Sequence, residues 1–118
     1  MLTIRKAQSD AFLKSQEEAF LMRMIKHLRE NFTKEIEKNG IQENDLSLVI
    51  SQGMENAHKY NITYESDMKL YMECIALLGM DFDNSIKYPR VNEILNRKNL
   101  SGEEKMEQIS EFLTYELE

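Results

Sequence analysis

The chain has a single cysteine, Cys74, so no disulfide can form within it, which suits a reducing cytoplasm. One proline and four glycines in 118 residues leave few breaks, and long helices are the natural consequence. Threonine and valine are sparse, and no stretch alternates polar and apolar residues for long, so strand signals are weak. The longest apolar run near the centre, Ile75 to Gly79, is far short of the roughly 20 residues that cross a bilayer. The opening residues, MLTIRKAQSDAF, carry Arg5, Lys6 and Asp10 and no apolar signal-peptide core. The expected location is therefore cytoplasmic, with export by machinery that uses no cleaved signal left open. Basic residues are also in deficit. Fifteen Lys and Arg against 21 Asp and Glu give a net charge of -6, and the pI is near 5.0. Nucleic acid is not an expected partner, because binding it needs clustered Lys and Arg to displace counterions. An acidic chain stays soluble and can meet a basic partner surface.

What is present fits a folded protein: 42% hydrophobic and 31% charged residues. The length predicts one domain, residues 1–118, able to bury roughly two thirds of its unfolded surface. Apolar spacing predicts an all-α, single-domain bundle of four to five helices with a long N-terminal helix. Ile62 to Asp83, ITYESDMKLYMECIALLGMDFD, is the most apolar stretch and the predicted central helix. Thr63 is its expected N-cap, Ile62 its staple, and Met68, Tyr71, Met72, Ile75 and Leu78 its inward stripe. Gly79 is expected to end it in the left-handed conformation.

The other elements follow in order. Thr3 to Asn31 reads as one helix, with Ala11, Phe12, Ala19, Phe20, Met22, Ile25, Leu28 and Phe32 as a drifting apolar stripe. Thr33 can cap an extra turn or two over Lys34 to Lys38, and Asn39-Gly40 is a stop. Asn44 or Asp45 is expected to cap a helix from Leu46 to Tyr60, with Gly53 at a close helix–helix contact. Met80 to Tyr88 is expected to be irregular. Pro89 suits the first turn of a short helix with Val91, Ile94 and Leu95 inward and Asn99 at its end. Ser101 and Glu104 form an S-x-x-E capping box for a last helix carrying Met106, Ile109, Phe112, Leu113 and Leu117.

Chemistry-bearing patterns are few. Asp81-Phe-Asp83-Asn-Ser85 looks like half a calcium loop, but Ile86 stands where a glycine is needed and Asn92 where a bidentate glutamate is needed. A turn with local bonds from Asp83 or Asn84 is expected instead. His27 and His58 lie on different helices without metal-ligand spacing. Cys74 sits mid-helix, away from an activating helix N-terminus, and reads as a structural thiol. No phosphate-cradling glycine loop or nucleophile elbow occurs. Eight methionines read mainly as core filling. Glu103, Glu104, Glu107, Glu111, Glu116 and Glu118 outnumber Lys105 and form either a solvated face or a contact for a basic partner. No catalytic, cofactor-binding or metal-binding residue is assigned.

Two blocks carry a resemblance, Ile62 to Asp83 and VNEILNRKNLSGEEKMEQI, Val91 to Ile109. Ile62, Thr63, Glu65, Asp67, Tyr71, Leu77, Leu78, Gly79, Asp81, Phe82 and Asp83 match an I-T-x-E-x-D … Y … LLG-x-DFD pattern. This resembles small bacterial helical proteins encoded among type VI secretion and polymorphic-toxin genes, beside spike, cargo or lipase-like effector genes. It covers about half the chain. The resemblance implies a non-enzymatic, protein-binding accessory, an adaptor or chaperone for a secretion effector. An immunity protein that neutralises a cognate toxin is the alternative. The partner would be a protein: an effector, spike or toxin. Asp81, Phe82, Asp83 and Tyr88, in the stretch after the central helix, are the candidate partner-binding residues. That stretch either caps the core or is presented to the partner.

Overall fold

The computed structural model describes residues 2–115, with side chains from 17 onward. Six α-helices follow one another, with no strand among the described residues: α1 (Leu2–Asn31), α2 (Thr33–Lys38), α3 (Leu46–Lys59), α4 (Glu65–Leu78), α5 (Pro89–Leu95) and α6 (Gly102–Tyr115). A single 3₁₀ turn, Glu43–Asp45, leads into α3. The all-α expectation holds, and the extra turn foreseen after Asn31 is a helix of its own.

α4 is the central element. It packs against α1, α2, α3 and α6, and α5 joins the assembly through α6. Met68, Tyr71, Met72, Cys74, Ile75 and Ala76 are all buried, so more than one face of this helix is covered. Gly53 explains how close α3 comes: a β-carbon there would lie 2.6 Å from Ile75 Cδ1 and 3.1 Å from the Met72 sulfur. The α1 stripe is Phe20, Met24 and Leu28, with Leu21, Ile25 and Phe32 partly covered. Met22 and Ala19 face solvent, so the expected stripe is displaced at these two positions. Ala11 and Phe12 lie outside the described side chains, and Leu117 outside the described residues.

The helix ends follow capping rules with some exchanges of residue. α2 and α3 both end in a Schellman turn. At α2, Gly40 takes φ +72 and the Ile41 N–H donates to the Ile36 carbonyl at 3.0 Å. At α3 the left-handed residue is Asn61, φ +65, and the Ile62 N–H donates to the Ala57 carbonyl at 2.9 Å. Ile62 is thereby fully buried. α4 begins at Glu65, and Thr63 makes no cap bond; the Asp45 side chain makes none at α3 either. Gly79 does end α4 with positive φ, +104, but its ψ of 163 is extended rather than left-handed helical, a region open essentially to glycine. α5 stops at Leu95, before the expected Asn99, because Asn96 turns its side-chain amide back to the Asn92 carbonyl at 2.8 Å. The capping box forms as written: Ser101 N–H to Glu104 Oε1 at 3.0 Å, and Glu104 N–H to Ser101 Oγ at 3.1 Å.

α6 is seated on the α3–α4 connection by two residues. Gly102 lies so close that a β-carbon would overlap the Asn61 carbonyl and stand 2.8 Å from Ile62 Cα. Both obstacles are backbone, so only glycine fits without moving a helix. Lys105, 3% exposed, donates from Nζ to the Tyr60 carbonyl at 2.8 Å. An ammonium at the C-terminal end of α3 also faces the negative end of its dipole.

Candidate functional site

The stretch after α4 folds as turns and fixes two of the four candidate residues inward. Phe82 is fully buried, its ring edge-on to Tyr71 at 4.9 Å between centroids. Asp83 is 8% exposed and accepts a hydrogen bond from the Tyr60 hydroxyl at 2.9 Å. Its backbone carbonyl accepts from Asn92 Nδ2 at 2.8 Å. The expected local bond from Asp83 is thus replaced by a bond to a residue on another element. Local closure comes instead from Ser85, whose hydroxyl accepts the Lys87 N–H at 3.1 Å. Asp81 and Met80 are exposed, Ile86 is 96% exposed, and Tyr88 is half-buried against the core as it starts α5. At Phe82 and Asp83, then, the loop is a cap on the core; Asp81 and Ile86 are what it shows to solvent.

A cleft of about 280 Å³ lies between this loop and α3. Gln52, Asn56, Lys59, Asp81, Asp83 and Asn84 give it a polar wall, and Gly53 and Ile75 sit at its base. Burial pushes the Tyr60 phenol up to about 12, helped by the hydrogen bond and negative charge of Asp83. Burial raises the Tyr71 phenol further, again with Asp83 adding to it. Both phenols stay protonated at neutral pH and act as donors or packing groups.

Other titratable groups hold the helices together. His27 Nε2 and Glu73 Oε2, 2.7 Å apart, tie α1 to α4, with the imidazole edge-on to Phe32. His58 is 3.6 Å from Glu17 across α3 and α1. Arg23 pairs with Glu65, and Arg29 with Glu43 at 2.9 Å. Cys74 is buried, and desolvation pushes its thiol up to about 12, so no reactive thiolate forms there near neutrality. No group of three or more potential metal ligands occurs among the described residues. Among the described residues, no helix is long and apolar enough to cross a membrane.

A second surface lies along the run of glutamates that the sequence left as either a solvated face or a contact for a basic partner. Asp67 in the first turn of α4 faces the first three turns of α6, and a groove of about 590 Å³ opens between the two helices. Glu103, Glu107 and Glu111 line it from α6, with Leu70 and Tyr115 as apolar elements. Asp67 is 7% exposed and has no hydrogen-bond or ion-pair partner among the described residues. Burial, then the charge of Glu103, raises its carboxyl above the usual range. The spacing of the three glutamates was readable; that Asp67 would join them was not, because this depends on the seating of Gly102.

Compared with known proteins, the chain matches no family model, no curated protein and no solved structure.

Proposed function

We propose that the chain is a non-enzymatic accessory protein, an adaptor or chaperone that binds a type VI secretion effector in the cytoplasm before it is loaded. The observation that carries this reading is the pair of blocks, Ile62 to Asp83 and Val91 to Ile109, that resemble small helical proteins encoded beside effector genes. In the fold these blocks pack together: they supply α4, the start of the loop after it, most of α5 and the first half of α6. The chemistry of the buried polar groups agrees with a binding role. Tyr60, Asp83 and Lys105 are engaged in internal hydrogen bonds, which leaves them to hold the fold. The exposed side of the same unit offers side chains a partner can contact, Asp81 and Ile86 on the loop and the glutamates of α6.

The test is affinity purification from the cells that make the protein, paired with a deletion strain. An adaptor co-purifies with an effector, and its loss abolishes secretion of that effector without poisoning the producing cell. Rescue of cells that express a toxin domain, with secretion unchanged, would assign the immunity role instead. Co-purification with neither removes the reading.

A further inference from the structure

We propose that the chain pairs with a second copy of itself, the N-terminal half of α1 in each copy lying in the groove between α1, α3 and the start of α4 in the other. The pairing stands apart from the accessory reading and needs no secretion partner. The first observation is the length of α1. Its 30 residues make a rod of about 45 Å, against about 21 Å for α3 and α4, which it packs against. Ion pairs fix how the three are aligned. Glu17 stands 3.6 Å from His58, the last residue but one of α3, and Arg23 pairs with Glu65, the first residue of α4. α3 thus ends beside Glu17, and α4 begins beside Arg23. Residues 2–16 of α1 run on past both, over about 22 Å. The apolar register does not stop where the neighbours do. Phe20, Met24 and Leu28 are buried in the core. Leu13, Phe12 and Leu2 precede Phe20 by 7, 8 and 18 residues and so share its register on a 3.6-residue helix. Packing of such a face, more than propensity, stabilises a helix within a protein.

The second observation is a groove of about 580 Å³ beside the first described turns of α1. Phe20, Met54 and Met68 line it as buried side chains, and Tyr64 as one that is 67% exposed. Glu17 and Glu65 line it as exposed carboxylates, next to His58 and Arg23. The N-terminal half of α1 complements this surface in charge. Arg5, Lys6 and Lys14 outnumber Asp10 over the first 14 residues, whereas the whole chain is at -6. α1 cannot fill the groove with its own N-terminal half. Residues 2–31 contain no proline or glycine, so nothing bends the rod back onto its own flank. A second copy meets no such obstacle. Two α1 rods laid antiparallel and crossing near Gln16 bring each extension alongside the other's Glu17–Arg23 flank, and a two-fold axis makes the two contacts identical. The apolar register of one then meets the methionines of the other, which adapt to the side chains they receive. Arg5 and Lys6 come to the side that carries Glu17 and Glu65.

The experiment is sedimentation of the full chain over a concentration series. The wild type should reach twice the 14.0 kDa of one chain. Leu13→Glu and Tyr64→Glu should each raise the dissociation constant at least about tenfold, because each sets a charge in the apolar contact. Ile86→Glu, at a residue 96% exposed and away from the groove, should leave it within about twofold. Two charge-reversed chains supply a readout that only an intermolecular contact can move. Arg5/Lys6→Glu and Glu17/Glu65→Lys should each dimerise more weakly than the wild type. Mixing them should restore a dimer with one chain of each kind, since every extension then meets a groove of opposite charge. Tyr64, Glu17 and Glu65 are exposed, so changes there leave the core of the bundle in place. A monomer at every concentration, a dimer indifferent to Leu13→Glu or Tyr64→Glu, a dimer lost with Ile86→Glu, or reversed chains that gain nothing on mixing would each overturn the proposal. A monomer that binds an effector and releases it with Tyr64→Glu would overturn it too, by seating another protein in the groove. Co-purification of an effector bears on the accessory reading alone, and the dimer on this one.

Discussion

Asp67 and Asp83 flank α4, one in its first turn and one just past its end, and both are almost fully withdrawn from water, at 7% and 8% exposure. Their surroundings differ. Asp83 receives the Tyr60 hydroxyl and follows Phe82, whose ring stacks edge-on against Tyr71, at the wall of the cleft beside α3. Asp67 receives nothing among the described residues, faces Glu103, and looks onto an open groove. Burial alone therefore does not tell what a carboxylate is for. The paired one ties the loop to the end of α3; the other has no side-chain partner among the described residues and keeps its oxygens within reach of water beside Glu103.

Substitutions should pull the two ends apart. The largest effect is expected at the capped end. Phe82→Ala removes a fully buried ring and should cost about 3–5 kcal/mol, read as a lower thermal or denaturant midpoint; an unchanged midpoint would show that the loop does not cap the core. Asp83→Ala strands the Tyr60 hydroxyl and should cost about 1–3 kcal/mol, with most of the loss already present in Tyr60→Phe if the two act as a pair. Additive losses would break the pairing.

Alkali gives a third measure. The Tyr60 phenol is held up to about 12 in the fold against 10.0 for an ordinary tyrosine. A folded value above the unfolded one contributes stability that is complete below pH 10 and lost as pH rises towards about 12. Denaturation midpoints followed through that interval should fall less steeply for Tyr60→Phe than for the wild type. Parallel curves would remove Tyr60 from the account.

The smallest change should carry the opposite sign. The Asp67 carboxyl is raised, so its contribution to stability is present in acid, below the unfolded carboxylate pKa, and lost as pH rises through the folded value. At neutral pH the ionised group is a burden, and Asp67→Asn should melt slightly above the wild type, with the gain vanishing in acid. A lower midpoint for Asp67→Asn at neutral pH would mean that the two aspartates serve alike.

Much of this architecture was legible in the sequence. Helical spacing located α1, α3, α4 and α6, the S-x-x-E pair located the start of α6, and Gly53 announced a close crossing. Three kinds of feature were hidden. Thr63 has the chemistry of a cap, but the Schellman turn at Asn61 sets the chain so that the cap position falls one residue later, at Tyr64. Phe82 and Asp83 could equally have faced a partner, since a loop residue's direction depends on what lies beneath it, here Tyr71 and Tyr60. Lys105 looked like one cation among glutamates; its ammonium is instead buried against the end of α3, a contact spanning 45 positions of sequence. Local patterns fix where helices start and which face is apolar. They do not fix which distant backbone a given side chain meets.

The enclosure of α4 by α1, α2, α3 and α6 has a consequence for isotope exchange. The amides of Met72 to Ala76 have no route to solvent that leaves the neighbouring helices in place. They should exchange deuterium last, at the rate set by whole-molecule unfolding, while the amides of the loop from Asp81 to Lys87 exchange through small openings of their own. An intact α4 then acts as a rigid axle between its two aspartates, and a change that stabilises the entire fold should slow exchange along α4 while leaving the loop's own openings unaltered.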